Sequence, residues 1–274
     1  YKKSISASQR AIDSIDSWTF TTAAGPMYKA KFHNKIGRAF HFWGYYDSAI
    51  KHHNHALAFF DSVRQNHQND MKDSLVYPDF KEWWINVANQ LEERAGVLIK
   101  KGSLVQAEND LLESAGIRRA NDDLLGVGMT FDKLGEINAL KGNYNMALQF
   151  YDSALLLKNN FMKAFIEDKG ELRAMFWSSI VRESISYTLI QTGKLYKAWN
   201  KDELALDFFR KSHDLSQTTG YPKGEAEAFT EMGHIYLKMG LPDSARTCYQ
   251  QTGNIYNRLK NRPGIAIASE NMGN

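Results

Sequence analysis

Five times along this chain a small residue is followed seven positions later by Gly or Asn and twelve positions later by Ala. The sets are Gly37/Gly44/Ala49, Ala95/Gly102/Ala107, Gly135/Gly142/Ala147, Gly193/Asn200/Ala205 and Gly233/Gly240/Ala245. The stretch between the first and second members, and the stretch after the third, carry apolar residues near the 3.6-residue period of an amphipathic helix. The middle residue therefore sits where one helix stops and the chain reverses. That place needs a left-handed backbone, which Gly enters without steric cost and Asn more easily than most. Each set predicts a helical hairpin.

The small members predict tight crossings, because Gly or Ala on one helix facing Ala on the next lets two backbones approach to the short end of the usual packing range. Large residues flank that contact. His33, Leu91, Phe131, Leu189 and Phe229 stand four before the small residue, and Phe40, Leu98, Asn138, Tyr196 and Tyr236 three after it. His53, Leu111, Tyr151, Phe209 and Tyr249 stand four after the Ala. The prolines agree with this register. Pro26, Pro78, Pro222 and Pro263 fall where first helices begin and Pro242 where a second begins, all places that tolerate proline. No sustained period-two alternation is present, so the class is all-α.

This order of large, small and large residues followed by Ala resembles the tetratricopeptide repeat. "FDKLGEINALKGNYNMALQFYDSALLL" at 131–157 and "FTEMGHIYLKMGLPDSARTCY" at 229–249 lie close to the family pattern. The resemblance implies a right-handed superhelical solenoid of helical hairpins. Small-residue spacings of 58, 40, 58 and 40, then 40 again to Gly273, depart from the usual period. Gly126, Gly224 and Gly264 recur nine positions upstream in the 40-residue steps, which is similar to kinesin light chains and bacterial peptide-responsive regulators. The 58-residue steps carry added helix at 78–90 and 169–187. The expected organisation is a single solenoid with a partial hairpin at 4–17, hairpins at about 28–66, 80–116, 123–158, 169–216 and 222–259, and a half repeat at 263–274.

Composition bounds the function classes. A chain of 274 residues with 43% apolar content can bury a continuous core. The net charge of +3 is close to neutral, which argues against a nucleic-acid partner. No stretch reaches the apolar length of a membrane-spanning helix, so membrane insertion of this region is not expected. Tyr1 in place of a starting Met, and hairpins cut at both ends, read as a processed or excised chain, with weak self-association expected through an unfinished C-terminal edge. The lone Cys248 rules out an intramolecular disulfide and reads as a packing residue.

No catalytic motif stands out. Gly126-Val127-Gly128 has neither the third glycine nor the preceding strand of a phosphate loop. His52, His53 and His55, with His33 and His41 nearby, form the one histidine cluster. His53 fills the slot held elsewhere by Tyr151, Phe209 and Tyr249 and reads as packing. His52 and His55 lie one turn apart and would need a third ligand from another helix to hold a metal. No metal, no cofactor and no enzymatic role are expected. Trp83-Trp84 and Phe176-Trp177 read as core.

In tetratricopeptide repeats, ligands lie in a groove lined by the first helices. The resemblance places there Asn34, Arg38, His41 and Phe42; Glu92, Ile99 and Lys100; Asp132, Glu136 and Leu140; Ile190, Lys194 and Lys197; and Thr230, His234, Leu237 and Lys238. The Lys and Asn pairs with which chaperone-binding members clamp a carboxylate have no match among these. Arg38, Lys194, Lys197, His234 and Lys238 are the candidate ligand residues, the last four forming a basic floor suited to an acidic segment or free carboxylate. The resemblance implies a non-catalytic protein- or peptide-binding domain. "YYDSAI", "FYDSAL" and "LPDSAR" resemble Bacteroidetes repeat arrays that precede a membrane span and a histidine kinase or DNA-binding regulator, which implies an extracytoplasmic sensor or scaffold. Two alternatives stand beside it: a cytosolic receptor for a short signalling peptide, and an accessory domain of an enzyme whose catalytic part lies elsewhere.

Overall fold

The computed structural model describes residues 6, 10, 13, 14, 24–66 and 79–273, with side chains at 6, 10, 13, 14, 28–62, 81–168 and 178–273. The segment 4–17 lies mostly outside the described residues, as do Pro78 and the Phe176-Trp177 side chains. All regular structure among the described residues is α-helix. In chain order the helices are α1 (Ala24–Phe42), α2 (Tyr46–Asn66), α3 (Asp79–Lys101), α4 (Leu104–Ala120), α5 (Leu124–Leu140), α6 (Tyr144–Ala198), α7 (Asp202–Thr219), α8 (Pro222–Lys238), α9 (Pro242–Arg258) and α10 (Arg262–Gly273). None is long and apolar enough to cross a membrane. Pro26, Pro222, Pro242 and Pro263 all lie in the first turn of their helix.

The hairpin turns follow the sequence register. Gly44, Gly102, Gly142 and Gly240 have φ between 73° and 83°, and Asn200 has φ of 57°. At each turn the residue after the left-handed one donates its N–H five residues back. Tyr45 to Phe40, Ser103 to Leu98, Asn143 to Asn138, Lys201 to Tyr196 and Leu241 to Tyr236 span 2.8–2.9 Å. This closure satisfies carbonyls that the helix end would otherwise leave unpaired. The turns between hairpins use the same device at Asp122, Gly220 and Lys260, all with positive φ.

In four of the sets the spacing alone did not give the nearest neighbour of the small residue: the large residue four positions beyond the Ala lies over the glycine. A Cβ built on Gly37 would sit 2.8 Å from the His53 ring, and on Gly193 and Gly233 2.5 Å from Phe209 and Tyr249. Gly135 meets Tyr151 in the same way. In the second hairpin Leu111 replaces the ring, and there Ala95 replaces the glycine. The Ala residues at 49, 107, 147, 205 and 245 are all essentially inaccessible.

Helix α6 holds a second difference. One helical run covers the expected end of one hairpin at 158 and the expected start of the next at 169. Yet Lys158 Nζ lies 3.0 Å from the carbonyl of Ser184. A straight helix would put those residues about 39 Å apart. The ring of Tyr144 at one end also lies 5.8 Å from that of Trp199 just past the other. Helix α6 therefore folds back on itself between 158 and 184, giving two antiparallel arms. No Pro stands in that interval to mark a break, and although Asn159, Asn160 and Gly170 are poor helix formers, one helical run continues through them.

Two compact units share the chain, Tyr1–Thr130 and Phe131–Asn274, with the division inside α5. In the first, α1 packs on α2, α2 on α3 and α3 on α4. Its core includes Ala30, Ala56, Phe60, Trp83, Val87 and Leu91. In the second, the arms of α6 pack on α7 and α8, α8 on α9, and α9 on α10. Ile190, Ala205, Leu206, Phe209, Met232, Ile235 and Cys248 form its main cluster. Each large apolar side chain so buried contributes about 1.5–3 kcal/mol. Cys248 is a free, buried thiol packed in that cluster, as its position predicts.

Candidate functional site

The second arm of α6 and the neighbouring α8 carry four of the five candidate residues. Lys194 and Lys197 stand one turn apart on α6, and His234 and Lys238 one turn apart on α8. The sequence reading expects a basic floor here, and the structure corrects it. Lys194 Nζ donates to Glu227 at 2.6 Å and lies 3.8 Å from Glu231. Lys197 donates to Glu231, which also lies 3.6 Å from His234 Nδ1. Lys238 Nζ lies 2.8 Å from Asp202 Oδ2 and donates to Asn200 Oδ1 at 3.1 Å. Three lysines thus meet three carboxylates, and the floor carries no excess charge.

Glu231 is the hub of this ladder. Burial alone would raise its carboxyl, but hydrogen bonds from His234 and Lys197 and the charges of Lys197 and Lys194 outweigh it and hold the group at about 2. The lysines stay between a third and a half exposed. Their ammonium groups are therefore within reach of a ligand that offers oxygens in place of Glu227 or Asp202. Leu237 lies exposed beside them and adds an apolar element to the same face.

Other expected groove positions turn inward. Glu92, Asp132 and Ile190, each three residues before the small one, are buried. Glu92 accepts from Arg118 Nε at 2.8 Å, Thr130 Oγ1 at 2.6 Å and Ser114 Oγ at 3.1 Å. Arg118 also donates to Asp123 at 2.5 Å and Asn89 at 2.6 Å. Asp132 accepts from Lys158 and from Thr188 Oγ1 at 2.8 Å. Lys158 completes its three donors on Asp132, the Ser184 carbonyl and Thr188 Oγ1, so its ammonium is fully satisfied. Burial pushes the Asp132 carboxyl up to about 6 against the pull of Lys158, and lowers the Lys158 ammonium. Perturbed groups of this kind often mark active sites. Lys158 is wholly inaccessible, however, and every donor is used, so the cluster presents no open position to a substrate.

Glu136, another expected groove residue, accepts a hydrogen bond from Tyr187. Arg38, the fifth candidate, lies in the first unit, well exposed and 3.7 Å from Glu93, a pairing worth little in water. Of the histidines, His53 is buried under Gly37 with Nδ1 on Gln90 Nε2. Burial, with the charges of His41, Arg94, His52 and Arg38, holds it down at about 4, so it is neutral at pH 7. His33, His52 and His55 converge, with one ring nitrogen of each within 4.8 Å of the others. A cleft of about 440 Å³ lies between Ser216, Pro222 and Arg258, and one of about 370 Å³ at Arg94, Asp110 and Gln106. Neither cleft is lined by any of the five candidates.

The carboxylates at 202, 227 and 231 were missed because they lie off the groove register read from the small residues. Arg118 and Lys158 had a legible signal, since each stands 26 residues after the acid it binds.

A family model described as tetratricopeptide repeat matches residues 226–251, from α8 into α9. Among solved structures, BtubC from P. vanneervenii is 14% identical, with a TM-score of 0.67 covering 95% of this chain and 92% of that one. A Rap protein complexed with competence and sporulation factor is 14% identical, TM-score 0.63, covering 95% of this chain and 61% of that one. The Rap conjugation gene regulator of the plasmid pLS20, in complex with the Phr* peptide, is 16% identical, TM-score 0.63, covering 92% and 60%. The chain thus spans about three fifths of the length of those two Rap proteins. At these identities the likeness is one of fold. A search of curated proteins finds no match to the sequence.

Proposed function

Because the chain is a tetratricopeptide-repeat protein with the fold of a TPR-like helical solenoid, we propose that it serves as a non-catalytic protein- or peptide-binding domain. Repeats of this kind bind proteins or peptides, and such a fold is typically non-catalytic. The ligand lies along the second arm of α6 and α8, across Lys194, Lys197, His234 and Lys238. The observation that carries this reading is the ladder of partly exposed lysines and less exposed carboxylates, from Lys194 and Glu227 to Lys238 and Asp202. Exchangeable ion pairs on a rigid helical face let a ligand substitute its own carboxylates and ammonium groups for those of the protein. Because the ladder is balanced, a peptide with both signs of charge fits it better than a purely acidic one. Charges of this exposure set specificity and association rate more than affinity, and they weaken with salt.

The larger setting proposed for this domain is the sensory or scaffold part of a bacterial signalling protein. The fold shared with Rap proteins that bind peptide factors favours a second reading, a receptor for a short signalling peptide. Selection of peptides on the wild type and on a Lys194→Glu/Lys238→Glu double variant, at low and physiological salt, tests the site. Peptides that bind the wild type should lose at least tenfold on the variant. Equal binding by both proteins moves the ligand elsewhere.

A further inference from the structure

We propose that His33, His52 and His55 form a binding site for a zinc-class divalent transition-metal ion, held between α1 and α2. His52 and His55 stand one turn apart on α2, which alone makes only a two-ligand face. The third donor that such a pair lacks comes from His33 on α1, packed directly against α2. One ring nitrogen of each lies within 4.8 Å of the others, and His33 Nδ1 is 2.9 Å from His52 Nδ1. Two nitrogens bound to one tetrahedral zinc at about 2.0–2.1 Å stand about 3.3 Å apart, so the His33–His52 pair needs to open by only a few tenths of an ångström, and no pair has to close by more than about 1.5 Å. Either a shared proton or a metal ion satisfies that contact.

The rings are held in place before any ion arrives. Phe59 stacks on His33 at 5.6 Å and Phe40 on His52 at 5.5 Å, which limits their rotation. His33 and His55 meet edge to face at 5.0 Å. Lys51 stands beside His52 in the chain, and its charge opposes a cation held there. Lys51 is exposed, where its charge is screened.

Packing alone does not call for this trio. At the position of His33 the other four hairpins carry Leu91, Phe131, Leu189 and Phe229, all apolar. At those of His52 and His55 they carry no histidine at all. Imidazole–imidazole repulsion on protonation is a cost that three apolar residues would avoid. Three nitrogen ligands leave a fourth position for water or an outside donor, and the exposed His55 opens that position to solvent.

The test is titration of the tag-free chain with Co²⁺, followed by visible absorption, with Zn²⁺ as competitor and thermal unfolding as a second readout. One equivalent of Co²⁺ should give the bands of a four-coordinate ion and be displaced by Zn²⁺. His55→Ala, at an exposed position that the fold does not need, should weaken binding by about tenfold or more. Zn²⁺ should raise the unfolding midpoint of the wild type and not that of His55→Ala. A His41→Gln control should bind as the wild type does. The absence of a four-coordinate cobalt spectrum, or equal affinity in wild type and His55→Ala, overturns the proposal.

Discussion

Gly135, Gly193 and Gly233 owe their lack of a side chain to Tyr151, Phe209 and Tyr249, whose rings occupy the space a Cβ would need. That makes the sign of a Gly→Ala change a local measurement. Mid-helix, the exchange normally stabilises by about 0.5–1 kcal/mol. Gly96 in α3 and Gly116 in α4 have nothing within 4 Å of the added atom, so Gly96→Ala and Gly116→Ala should stabilise by about that amount. Gly135→Ala forces the Tyr151 ring to shift and should destabilise by about 1–3 kcal/mol. Denaturant midpoints of the three variants check this. His53 fills the same slot with a titratable ring, and its folded value near 4 lies below the unfolded 6.5. Between those values the unfolded chain takes up the proton first, so stability is fully present above pH 6.5 and falls as the pH drops toward 4, by about 3 kcal/mol. His53→Tyr, the residue two other hairpins use, should remove that slope. Comparing the variant with the wild type separates it from Asp132, whose raised carboxyl acts in the opposite direction.

Turns and ion pairs decide how far the elements could be read in advance. The five left-handed residues were legible because few residue types tolerate that backbone. The doubling back of α6 was legible only as two expected hairpins, since no Pro separates its arms and the helical run passes through Gly170. Glu92 and Asp132, buried against Arg118 and Lys158, were read as groove positions, because charge on a helix usually faces solvent. Their recurrence at one spacing in neighbouring hairpins was the available signal. Lys158→Met leaves Asp132 buried without its counter-charge and should cost about 3–5 kcal/mol at neutral pH. The loss should shrink as the pH falls, because Asp132, freed from the pull of Lys158, is raised further and takes up a proton more readily than in the wild type. The double variant Asp132→Leu/Lys158→Met should recover most of it, since an apolar pair needs no compensation. Chemical unfolding at pH 7 and pH 5 distinguishes these outcomes.

Across the molecule, the repeat carries the fold and the irregularities carry the chemistry. Small residues, rings and left-handed turns recur with a fixed register, which is why the all-α class was legible from residues such as Gly142 and Asn200. Lys194, Lys197, His234 and Lys238 were found by the same register, but Glu227 and Glu231, which decide what they can bind, obey no period. His33 likewise became a third ligand only once α1 lay on α2. A ligand held by the ladder must cover one face of the second unit and leave the helices behind it unchanged. Hydrogen exchange with and without a peptide selected on the wild-type chain measures this directly. Protection confined to 184–198 and 222–238 is the expected result, and protection falling instead on α7 and α9, or on 24–66, would contradict it.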